Sequence, residues 1–247
     1  MEDKVQKQRF EMKYRISEAK AQQMRYFVED YLHCDTYGRT RPNRSYPVHS
    51  LYLDSKNMKT YQDTINGDRN RFKLRVRYYE SEDTPVYFEV KRRYNKVIRK
   101  KRAKVHRHAV KDLLLGQLPT YDHLVNKTPD QLEALNYFSY LQNQLQATPK
   151  MHVTYFREAY ELEDSNAVRV TFDRFVKSTP HVSYELREDM PNYLPVFGDT
   201  VILELKFTDR FPFWLQEFTQ LYHVRQQSAA KYVDSVENLK FRKIEMA

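Results

Sequence analysis

The sequence predicts an α+β protein in which an antiparallel sheet closes into a barrel with a charged interior and with helices packed on the outside. Three observations predict this fold. Several segments alternate apolar and polar residues, other segments have helical periodicity, and the polar faces of the strand-like segments are rich in arginine. Short turn-like loops between the strands favour antiparallel hairpins. The predicted strands cover residues 8–15, 46–54, 70–79, 85–93, 96–105, 151–160, 167–175 and 200–207.

The helices are predicted from apolar residues that recur every three or four positions. The first follows Ser17, a residue type that caps helix N-termini, and the second runs over 129–146. A third begins at Pro212, and a fourth runs over 228–239. No internal repeat and no low-complexity linker interrupts the sequence, so we expect a single domain over residues 1–247.

Composition restricts the function. The net charge of +9 at pH 7 predicts anionic partners. The chain has only four glycines, all isolated, which excludes the glycine-rich loops that bind phosphates through backbone amides. Any phosphate must therefore be bound by side chains, and the chain has 42 lysines and arginines that could do so.

The single cysteine and the absence of a recognisable targeting signal predict a cytoplasmic protein. Cys34 is the only cysteine, which excludes a disulfide framework and a cysteine-based zinc site. No apolar run approaches the roughly 20 residues that span a bilayer. The N-terminal segment has no apolar core typical of a secretory signal.

The charged faces of the strands fit two arrangements: an ordinary solvated surface, or the lining of the interior of the protein. In FKLRVRY, Lys73, Arg75 and Arg77 lie opposite bulky apolar residues. A solvated sheet face gives the same alternation. However, the polar faces favour arginine, and the bulky apolar faces need helices to cover them. Glutamates also recur two residues before lysines, a spacing that places a metal ligand beside a phosphate ligand: Glu11 and Lys13, Glu89 and Lys91, Glu204 and Lys206.

These features favour apolar faces under helices and charged faces turned inward. A buried cation costs several kcal/mol unless it is paired or hydrated. We therefore expect such an interior to be filled by water or by a polyanion.

A series of short motifs resembles the VTC domain of the triphosphate tunnel metalloenzyme superfamily. The motifs are, in order, EMKY, SLYLDS, KLRVRYY, FEVKRR, KKR at 100–102, YFREAY, RVTFD, LELK and a late KY. They cover residues 8–240. The resemblance implies a closed β-tunnel lined by basic residues and acidic metal ligands. It also implies a polyphosphate polymerase that uses Mn²⁺ or Mg²⁺ and transfers the γ-phosphoryl group of ATP to a growing polyphosphate chain.

The resemblance also implies the site residues. Four arginines hold the triphosphate (Arg75, Arg77, Arg157 and Arg169), three lysines contact the terminal phosphates (Lys13, Lys91 and Lys231), and these seven are the candidate catalytic residues. Further phosphate-binding candidates on the same faces are Lys73, Lys100, Arg102 and Lys206. The metal candidates are Glu204, Glu89 and Glu11. The chain departs from the family pattern at Ala230, where the family has serine.

The sequence does not determine which acceptor receives the phosphoryl group. The same site hydrolyses triphosphates if water replaces the acceptor, so an inorganic or nucleoside triphosphatase is the alternative. A third possibility is a non-catalytic module that binds polyanions or nucleic acid through the basic run at 91–107. Because Tyr94 is the only aromatic residue in this run, a base-stacking platform is missing and no nucleic-acid partner is expected. The predicted partners are ATP and polyphosphate or pyrophosphate; a membrane partner is unknown.

Overall fold

The computed structural model describes residues 9–80, 84–95, 97–163 and 165–245. The strands are β1 (Arg9–Ile16), β2 (His33–Cys34), β3 (Ser45–Asp54), β4 (Asn70–Tyr78), β5 (Val86–Tyr94), β6 (Val97–Val105), β7 (Thr148–Leu162), β8 (Ser165–Pro180), β9 (Leu194–Pro195) and β10 (Val201–Thr208). The helices are α1 (Glu18–Glu29), α2 (Thr36–Arg39), α3 (Lys59–Ile65), α4 (Val110–Leu114), α5 (Pro129–Leu145), α6 (Phe213–Leu221) and α7 (Lys231–Glu245).

The chain divides into two compact units. The first contains the described residues up to 46 together with 155–176 and 197–229, and the second contains 47–154, 177–196 and the residues from 230 onward. Strands β7 and β8 contribute residues to both units.

The first unit carries the strand order β1-β10-β8-β7, all antiparallel, with the short β2 beside β7. Its apolar face packs under α1 and α6. Met24 and Val28 of α1 are fully buried in one cluster with Val170 and Leu203 of the sheet, and Phe218 of α6 joins them. Helix α1 begins after Ser17, whose hydroxyl accepts a hydrogen bond from the Lys20 amide, as the sequence predicts.

The second unit carries the order β7-β3-β4-β5-β6. Its apolar face packs under α5, whose Leu135 and Phe138 are fully buried against strand residues such as Phe88. The Phe88 and Phe138 rings meet edge to face at 4.9 Å between centroids. The buried residues of α5 thus follow the three- and four-residue spacing from which the helix is predicted, and in both units the apolar faces of the strands are covered by helices.

The α+β class and the antiparallel sheet are confirmed. The predicted strands and long helices are found with ends shifted by up to six residues; residue 8 and Lys96, with which two predicted strands begin, lie outside the described residues. The short elements β2, β9, α2, α3 and α4 were not predicted, because too few residues form them for a periodic pattern. Among the described residues, β1 pairs with no strand but β10 and β6 with none but β5, so neither unit alone is a closed barrel.

Candidate phosphate and metal site

The polar face of the second unit brings predicted cations from three strands into register. Antiparallel pairing places Arg75 opposite Glu89, and Glu89 opposite Arg102. The next row joins Lys73, Lys91 and Lys100. Because side chains alternate between faces with period two, residues paired in this way point to the same side of the sheet. The local alternation seen in the sequence thus becomes a continuous cationic surface.

Glu89 lies at the centre of this surface and is 1% exposed. Its Oε2 atom accepts a hydrogen bond from Arg75 Nε at 2.5 Å, and its Oε1 atom pairs with the Lys100 ammonium. Burial raises the pKa of Glu89, but the charges of Arg75, Arg77 and Lys100 outweigh it and hold the pKa well below the usual range. The carboxylate therefore stays ionised and orients two cations.

The excess of positive charge perturbs two neighbouring groups. Partial desolvation of the ammonium, whose side chain is 37% exposed, together with the nearby Arg75 and Arg77, lowers the pKa of Lys100 to about 7, although Glu89 opposes the shift. The Tyr52 hydroxyl lies 3.4 Å from Arg75 Nη1. Burial raises the pKa of Tyr52, but the positive charges of Arg75, Arg77 and Lys231 produce a net lowering. The net lowering at Tyr52 indicates a positive local potential that would attract an anion.

The remaining predicted cations of this unit lie on or near the same surface. Arg77 is 8% exposed and Lys231, the first residue of α7, is 7% exposed. The Arg102 guanidinium lies over the Tyr87 ring, 5.2 Å from its centroid. Of the predicted site residues, this unit contains seven cations and one carboxylate: Lys73, Arg75, Arg77, Lys91, Lys100, Arg102, Lys231 and Glu89.

The first unit has a second cluster, centred on Glu204. Its Oε1 atom lies 3.4 Å from Lys13 Nζ, and its Oε2 atom lies 2.6 Å from Lys206 Nζ and 3.6 Å from Arg157 Nη2. Lys13 also lies 3.3 Å from Glu11 Oε1. Burial and the charge of Arg157 lower the pKa of Lys206 to about 8, with Glu204 opposing.

Two hydrogen bonds to Asp173 fix the Arg157 guanidinium. Its Nε and Nη2 atoms donate to the two Asp173 oxygens at 2.7 and 2.8 Å. The guanidinium lies 5.2 Å from the centroid of the Tyr155 ring. Burial lowers the pKa of Arg157, but Asp173, Tyr155 and Glu204 raise it well above its usual value. This geometry holds the arginine rigidly beside Glu204.

Arg169 lies further along the same face, in the row that contains Lys206 and Glu11. Its guanidinium donates to Asp35 Oδ2 at 2.7 Å and pairs with Glu161. Asp35 is itself buried and also accepts a hydrogen bond from the Tyr46 hydroxyl at 2.7 Å. Both predicted arginines of the first unit are therefore oriented by buried aspartates.

The donor sets decide which residues fit a divalent metal. Among the described residues, no group of three or more His, Cys, Asp or Glu side chains is arranged to hold a metal ion. Mg²⁺ at phosphate-transfer sites usually takes only one or two carboxylates and completes its shell with phosphate oxygens and water. Glu204 and Glu11, which both contact Lys13, fit this pattern. Glu89 fits less well, because it is the one metal candidate of its unit, whereas Glu204 and Glu11 lie close enough to share the Lys13 ammonium.

Several residues of these clusters were missed by the sequence reasoning. Tyr52 was detectable, because it shares the polar face of a predicted strand with Ser50. Tyr155 lies in a predicted strand two residues before Arg157, and its parity places it on the same face. Asp35 and Glu161 gave no such signal, since their roles depend on contacts between distant segments.

The part of the chain that the structure describes contains no helix long and apolar enough to cross a bilayer.

Comparison with known proteins identifies a family and a fold. The family described as VTC domain matches residues 8–240. No curated protein is significantly similar in sequence. The solved structure of HpAC1 from Hippeastrum, a candidate adenylyl cyclase described as having a dominant triphosphatase activity, aligns with 11% identity and a TM-score of 0.54, over 94% of this chain and 96% of that chain.

Two further solved structures align over most of their length. The candidate adenylate cyclase bh2851 from Bacillus halodurans has 12% identity and a TM-score of 0.49, with 90% of this chain and 94% of that chain covered. The PH1819 protein from Pyrococcus horikoshii OT3 has 10% identity and a TM-score of 0.47, with 96% and 99% covered.

Proposed function

Because the chain belongs to the VTC domain family, we propose that it is a metal-dependent polyphosphate polymerase. It transfers the γ-phosphoryl group of ATP to the end of a polyphosphate or pyrophosphate acceptor. The observation that carries the proposal is the set of buried cations on the polar strand faces and at the start of α7, among them Arg77, Arg157 and Lys231, each 8% exposed or less. Removing a cation from water is costly, and a bound polyphosphate anion offsets part of that cost.

Phosphoryl transfer depends on charge stabilisation and alignment more than on covalent participation of the protein. In the transfer, the bond from the γ-phosphorus to the β,γ-bridging oxygen breaks, and a bond to a terminal acceptor oxygen forms. Arg75, Arg77, Arg157 and Arg169 bind the triphosphate because a guanidinium can donate two parallel hydrogen bonds to phosphate oxygens. Lysines contact the terminal phosphates as point charges.

Glu89, Asp173 and Asp35 keep the arginines in place before substrate binds. The pairs Arg75–Glu89, Arg157–Asp173 and Arg169–Asp35 each have N–O distances of 2.5–2.7 Å. A guanidinium that is already oriented loses less conformational entropy on binding phosphate. The buried acids therefore contribute to catalysis by pre-organising the cations.

Glu204 and Glu11 would hold Mn²⁺ or Mg²⁺ at the cluster in the first unit. When an ion is bound there, the chemistry supplied is neutralisation of charge on phosphate oxygens. Lys13, which lies between the two glutamates, keeps them oriented.

We also propose that the sheet forms a closed tunnel and that residues 1–247 act as a single domain. The family match continues through both units, which supports the prediction that residues 1–247 act as one domain. The similarity in fold to HpAC1 supports the tunnel form.

A triphosphatase is the second candidate. It is favoured by the structural similarity to HpAC1, whose description reports a dominant triphosphatase activity. The two reactions use the same charge-stabilising residues and differ in whether water or a phosphate end attacks the γ-phosphorus.

The test is product analysis of the purified protein with ATP and Mn²⁺. Polyphosphate is resolved on a gel, and free phosphate is measured in the same reaction. We expect a polyphosphate ladder that disappears in Glu204→Ala. Free phosphate without a ladder would replace the polymerase by the triphosphatase, and neither product would contradict both enzymatic functions.

A further inference from the structure

Asp54 organises a buried hydrogen-bond network at the end of β3. It is fully buried, and its two oxygens accept hydrogen bonds from the Thr60 amide and hydroxyl, both at 2.9 Å, and from the Tyr61 amide at 3.0 Å. These contacts satisfy the otherwise unpaired amides at the start of α3. Met58, the residue before α3, makes no side-chain capping bond. The Asp54 carboxylate is thus fixed by the fold.

Tyr232 joins this network from the first turn of α7. Its hydroxyl donates to Asp54 Oδ2 at 2.7 Å, and its ring stacks on Tyr52 with centroids 4.9 Å apart. Burial and the charge of Asp54 raise the pKa of Tyr232, so the phenol remains protonated and able to donate. Both the ring and the hydroxyl of Tyr232 are therefore held in one place.

Lys231 directly precedes Tyr232 and is buried at the start of the same helix. Its charge lowers the pKa of Tyr52 together with those of Arg75 and Arg77, which places its ammonium in the same electrostatic cluster. Two other polar contacts that α7 makes with the rest of its unit lie further along the helix, from Asn238 to the Val196 carbonyl and from Lys240 to the Tyr61 hydroxyl. The Tyr232 contact lies directly beside Lys231.

We propose that Tyr232 is a positioning residue: its hydrogen bond to Asp54 fixes the first turn of α7 and so holds the Lys231 ammonium where it binds the phosphates of the substrate. The proposal rests on the phosphate-binding role of Lys231 in the proposed function. A lysine has a flexible four-carbon stem, so its affinity for phosphate depends on how well its backbone is held. The phenol, which lies next to the phosphate ligand in sequence, acts through it without contacting the substrate.

The test is a double-mutant cycle on tripolyphosphate binding, measured by calorimetry on the full chain. Tyr232→Phe removes only the hydroxyl and keeps the stacked ring. We expect it to weaken binding about tenfold in the wild-type background, the effect of losing roughly one well-placed hydrogen bond. In the Lys231→Ala background the same substitution should have no further effect. Equal weakening in both backgrounds, or none in either, would overturn the proposal.

Tyr61→Phe is the matched control. It also removes a tyrosine hydroxyl between α3 and α7, the one that accepts from Lys240 at 2.9 Å, but it leaves the Tyr232–Asp54 contact unchanged. We expect tripolyphosphate binding to stay at the wild-type level. A tenfold loss in Tyr61→Phe as well would show that general loosening of α7 is responsible and would overturn the specific role of Tyr232.

A second variant covers the case in which Tyr232→Phe does not fold. Asp54→Asn weakens the acceptor at the other end of the same hydrogen bond, and its effect should also vanish in the Lys231→Ala background; an undiminished effect there overturns the proposal.

The product assay distinguishes failure of the positioning role of Tyr232 from failure of the proposed enzymatic function. A non-additive cycle in a protein that forms neither polyphosphate nor phosphate supports the positioning role and rejects the enzyme. An additive cycle in an active polymerase rejects the positioning role alone.

Discussion

The two units present polar faces of different chemical character. In the second unit, seven predicted cations share one predicted carboxylate, Glu89, which Arg75 and Lys100 contact. In the first unit, four predicted cations alternate with Glu11 and Glu204, and the two arginines among them are paired with buried aspartates.

The difference has a consequence for the proposed function. A surface whose predicted site residues are mostly cations gains most from a polyanion, whereas a surface on which Glu11 and Glu204 share the Lys13 ammonium can exchange that lysine contact for a metal ion. We infer that metal dependence comes from the first unit, whereas cations of both units contribute to phosphate binding. The same strand pattern thus produces two different electrostatic environments, and the neighbouring carboxylates determine which one arises.

The largest expected effect comes from removing an arginine from the cation-rich face. Arg75→Ala should lower turnover by about 100- to 1000-fold, the usual cost of losing a preorganised donor to developing charge. Turnover per folded molecule is the measurement, with folding followed by circular dichroism. An unchanged rate would remove Arg75 from the site and weaken the assignment of this face.

Arg92→Ala is the control for that variant. Arg92 lies on β5 but on the opposite face, where its guanidinium donates to the Tyr137 hydroxyl at 2.7 Å. Its loss removes one positive charge from the strand paired with that of Arg75 but leaves the polar face unchanged. We therefore expect turnover close to wild type. A comparable loss in both variants would mean that net charge, and not the polar face, supports activity.

A smaller and more specific effect should distinguish the glutamates of the two units. Glu204→Gln should raise the Mn²⁺ concentration needed for half-maximal activity by about 10- to 100-fold, as changes at a metal site commonly do. Glu89→Gln should instead weaken triphosphate binding and leave the Mn²⁺ requirement unchanged, because Glu89 orients Arg75 and Lys100. Titration of activity with Mn²⁺ gives both values. A raised requirement in Glu89→Gln would restore it as a metal ligand.

The last effect concerns stability and not activity, and it depends on buried histidines of the second unit. His49 is 4% exposed and stacks on His152, with ring centroids 5.5 Å apart. Burial and the charge of Arg107 lower the pKa of His49 to about 4. The unfolded chain, with a pKa near 6.5, therefore binds the proton first as pH falls. The stability that depends on neutral His49 is complete above about pH 6.5 and is lost between pH 6.5 and about 4.

His49→Phe keeps a stacked ring and removes this titration. Urea unfolding at pH 7 and at pH 4.5 should show that the variant loses about 2–3 kcal/mol less than the wild-type protein over this interval. His33→Gln, an exposed site in the first unit, should lose as much as wild type. The prediction for His49 fails if all three proteins lose equal stability.

Local pattern determined much of this protein. The alternation of Lys73, Arg75 and Arg77 with apolar residues set which side chains share a sheet face, because the period of two is a property of the extended backbone itself. The stripe of Leu135 and Phe138 likewise determined which side of α5 is buried. The motif series led to the family that the comparison then confirmed.

Only the tertiary structure determined which charged and polar side chains contact one another. Arg169 pairs with Asp35, 134 positions away, and Tyr232 meets Asp54 across 178 positions. Strand periodicity fixes the side of the sheet on which a residue lies, but it carries no information about the partners that distant segments bring there. Ion pairs and buried hydrogen bonds depend on distance and desolvation, both of which arise only when the chain has folded. The sequence therefore determined the charged faces, and folding determined which carboxylate each cation contacts.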